Sequence, residues 1–135
     1  VLPKRYTCDG GNISLPFTWS EIPAKTVELD LFIFDVASVH GKLVPVWAAA
    51  GLKPTLRGIP AGKLPPGAIV GRNSLGQNDY SICPPKGTTG HYVSLLVALP
   101  QAIPAQPGFD PEALVNKAAT VAEFEGRLAF SYKRA

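Results

Sequence analysis

The 135-residue chain has no methionine and only two cysteines and two histidines, and each scarcity removes a class of chemistry. His40 and His91 are too few for a histidine-only zinc site, and Cys8 and Cys83 do not form a C-x-x-C pair. Asp35 would add one mixed ligand, but nothing in the spacing asks for a metal, so neither a metal site nor a cofactor is expected. There is no G-x-S-x-G elbow, and no pattern that orients a nucleophile through a neighbouring base. No enzymatic activity is therefore expected. The remaining enzyme alternative is a Cys83 thiolate with Lys86 and His91 near it.

Charge is scarce as well, at 17% of residues with a net +3, and the basic side chains are scattered from Lys4 to Arg134 without a run. A nucleic-acid surface concentrates such charge on one face, so no nucleic-acid partner is expected. The apolar runs fall well short of the roughly 20 residues that cross a bilayer, which excludes a transmembrane helix. Hydrophobic residues nevertheless make up 46% of the chain, enough for one substantial core and too many for a disordered segment. No charged-then-apolar leader precedes Val1, and with no methionine present an upstream stretch is expected to have been removed or omitted.

What the chain has in quantity is proline and glycine, 14 and 13 residues, which cut it into short segments and favour strands over helices. Residues 27–33 alternate, with Val27, Leu29, Leu31 and Ile33 on one face and Glu28, Asp30 and Phe32 on the other, predicting a half-buried strand that becomes more buried toward Asp35. Pro45 interrupts the next apolar run, so its strand is expected to start at Val46 or Trp47 and to continue through Ala48, Ala49 and Ala50. Residues 92–99 are apolar on both faces and predict a strand buried between two layers. Residues 59–71 and 100–107 read as long loops. Asp110 as N-cap, Pro111 at the first helical position and Glu112 in the first turn predict one helix of about three turns. Alternation returns in residues 124–132 as a terminal strand, and Trp19 and Trp47 are expected to serve packing.

Three motifs stand out. Cys83-Pro84-Pro85-Lys86-Gly87 fixes two φ angles and removes two backbone donors, which predicts a rigid loop leading His91 to the rim of a pocket. Tyr6-Thr7-Cys8-Asp9-Gly10-Gly11-Asn12-Ile13-Ser14 opens the chain, and Gly71-Arg72-Asn73-Ser74-Leu75-Gly76 lies between. In type and order these segments resemble the phosphatidylethanolamine-binding proteins, in particular their bacterial Raf-kinase-inhibitor-like branch, over nearly the whole chain. The resemblance implies one domain over residues 1–135, an all-β antiparallel β-sandwich with one C-terminal helix. The family's strand ahead of the Tyr6 motif is expected to be missing, which would leave a sheet edge or apolar patch uncovered.

The resemblance also implies a shallow site for phosphate and headgroup anions at the end of the sandwich. Carried over residue by residue, its ligand-binding positions are Asp35, Pro84, Pro85 and His91. Three positions are altered: Ala37 stands where the family has a second aspartate, Val46 where it has a histidine, and Tyr92 where it has an arginine. His40, a few residues beyond Ala37, reads as an ordinary exposed loop histidine, with partial substitution for the lost donor as the alternative. Cys8 and Cys83 lie in motifs that recur together in the family and are the only two cysteines, so they are expected to be bridged, with two separate thiols as the alternative. A bridge would favour an extracytoplasmic or secreted location, and free thiols a cytoplasmic one. The function implied is non-enzymatic ligand binding or regulation with a partly lost anion pocket, taking a small anionic or neutral ligand. The alternative is a protein-interaction or inhibitor module, directed at a kinase or serine protease, in which the pocket is a relic.

Overall fold

The computed structural model describes residues 1–36 and 43–135. After a 3₁₀ turn at Lys4–Tyr6 come strands β1 (Phe17–Thr18), β2 (Glu28–Asp35), β3 (Val44–Leu52), β4 (Gly58–Ile59), β5 (Ile69–Val70) and β6 (Thr89–Leu99), helix α1 (Pro111–Ala119) and β7 (Phe124–Lys133). Five strands form one antiparallel sheet in the order β5-β3-β2-β6-β7, and β1 pairs with β4 in a small second sheet. The chain is thus all-β with one helix, as the punctuation by proline and glycine predicts. The two-residue strands β1, β4 and β5 carry too little periodicity to be read from sequence.

Both faces of the large sheet are covered. Leu29, Leu31, Ile33, Trp47, Tyr92 and Leu96 pack toward the β1–β4 layer, while Phe32, Phe34, Leu95, Val97 and Leu99 pack toward α1. Helix α1 docks through Leu114, Val115 and Ala118, and its N-terminus is capped by Asp110, whose carboxylate accepts from the Glu112 N–H at 3.0 Å. That cap satisfies one of the donors a helix start leaves open.

Two strand expectations need correction. β2 is buried on both faces from its first residue, and Asp30 is wholly inaccessible, because α1 and the segment before it cover the face that alternation assigned to solvent. β3 begins at Val44, with Pro45 inside it opposite Phe34. A register irregularity between Ile33 and Phe34 accommodates the proline there, consistent with its lack of a backbone donor.

Candidate functional site

The Cys8–Cys83 disulfide is present, joining loops 75 positions apart with the two Cα atoms 5.2 Å from each other. It ties the Tyr6–Ser14 motif to the proline loop, and the Cys8 N–H donates to the Ile82 carbonyl beside it at 3.0 Å. The C-terminal strand secures the same corner. Arg134 donates through Nε to Asp9 at 3.1 Å and through one terminal nitrogen to the Pro84 carbonyl at 3.3 Å. The Tyr132 hydroxyl donates to the other Asp9 oxygen at 2.7 Å. That hydroxyl, followed by the Arg134 guanidinium, holds the Asp9 carboxyl below the usual carboxylate range. Sequence reading did not single out Asp9, Tyr132 or Arg134 as a set, because 123 to 125 positions separate the partners.

Beneath the proline loop lies a small cavity of about 90 Å³. Asp35 at the end of β2, Val46 on β3, Tyr92 on β6 and the Cys83-Pro84-Pro85 loop line it, together with Ser74 and Ser81. Asp35 and Tyr92 face each other across the β2–β6 ladder. Tyr92 is buried, and its phenol is pushed up to about 12, chiefly by that burial and then by the negative charge of Asp35. Ser74 is delivered by Asn73, a buried residue whose side-chain oxygen accepts from the Leu75 and Gln77 N–H groups at 2.9 and 3.1 Å while its amide donates to the Asp79 carbonyl at 2.8 Å. These bonds explain the Gly71–Gly76 motif as a loop built around one asparagine.

His91 does not join this cavity. It lies on β6 next to Tyr92, and successive strand side chains point to opposite faces, so Tyr92 lines the site while His91 stands exposed on the other side. The expectation that the proline loop leads His91 to the pocket rim is corrected by this one-residue parity. The residue on the pocket side before Tyr92 is Gly90, and a β-carbon built there would collide with the Tyr92 phenol. The tyrosine ring therefore occupies the space that a longer side chain at position 90 would need. Ala37 and His40 lie outside the described residues. No lysine, arginine or histidine is among the described residues lining the cavity.

A larger cleft of about 300 Å³ opens over Trp47 and Tyr80 between residues 12–14, 62–64 and 78–80. Its best-placed polar groups are already engaged: Asn12 bonds Ser81 and the Ile82 N–H, and Ser14 accepts from the Gly62 N–H. Trp47 is buried with Tyr80 edge-on to it, centroids 5.6 Å apart, so both rings serve the core.

These features have counterparts in known proteins. The UPF0098 protein of Methanothermobacter thermautotrophicus is 32% identical over 98% of this chain and 91% of its own length. A Mycobacterium tuberculosis protein named as putative lipoprotein LppC is 34% identical over 98% of this chain, which spans only 66% of that relative. The crystal structure of Escherichia coli YbcL, titled a new member of the mammalian PEBP family, superposes with a TM-score of 0.85 at 26% identity, covering 95% of this chain and 84% of that one. A phosphatidylethanolamine-binding protein homologue from Chlamydia trachomatis has the same fold, with a TM-score of 0.88 at 23% identity over 98% of this chain and 89% of its own. With the disulfide-tied proline loop, the antiparallel sheets and a family model that matches residues 1–132, this chain belongs to the phosphatidylethanolamine-binding protein family.

Proposed function

We propose that this chain is a non-enzymatic binding protein whose pocket no longer holds phosphate and instead takes a small uncharged group. The observation that carries this reading is the lining of the cavity, with one carboxylate, Asp35, and no cationic side chain among the described residues. A phosphate depends on charge-assisted bonds worth roughly 1.5–3 kcal/mol each. Here it would meet a carboxylate, the apolar wall of Val46 and the buried phenol of Tyr92. At about 90 Å³ the cavity is also well below the roughly 300–1,000 Å³ of a drug-sized ligand site, which restricts an occupant to a small terminal group. The disulfide, together with the lipoprotein name of the mycobacterial relative, supports a place of action outside the cytoplasm.

Calorimetric titration with inorganic phosphate, phosphoethanolamine and ethanolamine tests the reading. No heat of binding is expected for phosphate at concentrations where relatives with a full polar set would respond. Replacing Val46 by His together with Ala37 by Asp should bring phosphate binding back, most visibly below about pH 6.5, where an ordinary imidazole is charged. Tight phosphate binding by the unaltered chain would overturn the proposal.

A further inference from the structure

The cleft over Trp47 and Tyr80, at about 300 Å³, reaches the lower end of the roughly 300–1,000 Å³ range of small-molecule sites and shares no lining residue with the cavity beneath the proline loop. It opens beside Val70 on β5, the edge strand at the opposite end of the sheet from β7, where the Leu2 N–H meets the Ser131 carbonyl. The start of the chain therefore lies along the far edge of the sheet. The walls of the cleft are tied in place by their own bonds. The Gly62 N–H donates to the Ser14 carbonyl at 2.9 Å and to its hydroxyl at 3.1 Å, the Asn12 amide donates to the Ser81 hydroxyl at 3.2 Å, and the Tyr80 hydroxyl donates to the Tyr6 carbonyl at 2.8 Å. A ligand entering here meets a site that needs little ordering.

What these bonds leave over is one deep donor and two opposite charges. Trp47 is only 2% exposed, yet its indole N–H meets no acceptor among the described residues, whereas the Trp19 indole N–H donates to the Leu56 carbonyl at 2.8 Å. A buried indole N–H ordinarily has a partner. Among the described residues, the side-chain polar atoms sealed from solvent without a partner belong to Thr26, Glu28 and Asp30, so the Trp47 N–H is reached by solvent, and the cleft is the opening that its ring lines. The charges stand on separate segments of the wall. Lys63 has no ion-pair partner among the described residues, and Asp79 spends one oxygen on the Tyr80 N–H at 2.7 Å while the other meets no donor there. Ile13, Leu64 and Val70 make up the apolar part of the lining.

We propose that this cleft binds a small zwitterion, a free α-amino acid with an apolar side chain. Its carboxylate is taken by the Trp47 indole N–H and the Lys63 ammonium, its ammonium by the open oxygen of Asp79, and its side chain by Ile13, Leu64 and Val70. The charge pattern selects this class over simpler ones. A plain carboxylate would satisfy Trp47 and Lys63 but be repelled by Asp79, and a plain amine would satisfy Asp79 but leave the indole donor unmet and face Lys63. A neutral apolar molecule would strip water from both charges without replacing it. Only a molecule carrying both signs on one short skeleton answers all three groups, through charge-assisted hydrogen bonds at each end.

Titration with L-leucine, followed by the amide and indole signals in proton–nitrogen NMR spectra, tests this. The Trp47 indole signal should shift and saturate, while that of Trp19, already bonded to Leu56, stays in place as the internal control. Two analogues of the same skeleton separate the charges: 4-methylpentanoate lacks the amine and 3-methylbutylamine lacks the carboxylate, and each should bind about tenfold or more weakly than leucine. Lys63→Gln and Asp79→Asn should each weaken leucine binding by a similar factor. Both positions are exposed, and asparagine keeps an acceptor for the Tyr80 N–H, so the remaining amide signals should hold their positions. A Trp47 signal that does not move up to the solubility of leucine would overturn the proposal. So would indole signals that drift together without saturating, an analogue that binds as tightly as leucine, or variants that bind it as well as the parent.

Discussion

Replacing Asp30 by Asn should remove a pH dependence of stability that the fold builds into its own core. Asp30 is fully inaccessible and Glu28, two residues before it on the same face of β2, is only 8% exposed. One Asp30 oxygen accepts from the Gly51 N–H at 3.1 Å; the second Asp30 oxygen and Glu28 Oε2 have no hydrogen-bond donor among the described residues. A proton held on Asp30 and directed to Glu28 supplies the missing bond. Burial, followed by the hydrogen bond and the charge of Glu28, raises the Asp30 carboxyl to about 8, with the Gly51 N–H opposing. The folded state therefore binds this proton far more tightly than the unfolded chain. The stabilisation is complete below the ordinary carboxylate value near 4 and is lost as pH rises through about 8. Between pH 6 and pH 8 the loss amounts to about 2 kcal/mol, or roughly 8 °C in Tm for a domain of this size. Asparagine keeps an acceptor for Gly51 and gives a permanent donor to Glu28. The Asp30→Asn variant should lose little stability at pH 5 and exceed the parent at pH 8. Urea unfolding at a series of pH values reads both curves. Parallel curves for parent and variant, or a parent that gains stability from pH 6 to 8, would refute the shared proton.

Reducing the Cys8–Cys83 bridge, or replacing both cysteines by serine, should cost about 4–5 kcal/mol on the chain-entropy account for a loop closed across 75 positions, measured as a fall in the urea midpoint. Asn73→Ala removes three hydrogen bonds from a buried loop centre and should destabilise by about 2–3 kcal/mol, with faster amide exchange at Leu75 and Gln77. Arg134→Ala should leave the disulfide intact yet expose the proline loop to faster exchange at Gly87 and Thr88, since the Arg134 side chain links that loop to Asp9.

Much of the architecture was legible because local rules and the fold agree. Asp110 and Pro111 announce the helix through capping chemistry that is independent of the rest of the chain, and the alternation in residues 124–132 survives because β7 is covered mainly on one face. The proline loop and its cysteine, with the two motifs before it, pointed to the family and to the bridge. Sequence alternation failed at Glu28 and Asp30, where the packing of α1 and its preceding segment turned an apparent solvent face into core. It failed again at His91, because which of two adjacent strand residues enters a cavity is decided by ladder parity, and the ladder is formed with β2 and β7 from opposite ends of the chain. Residue types and turn chemistry act over a few positions and so could be read by themselves. The contents of the pocket and the proton buried in β2 depend on which distant strands come together, and only the tertiary structure decides that.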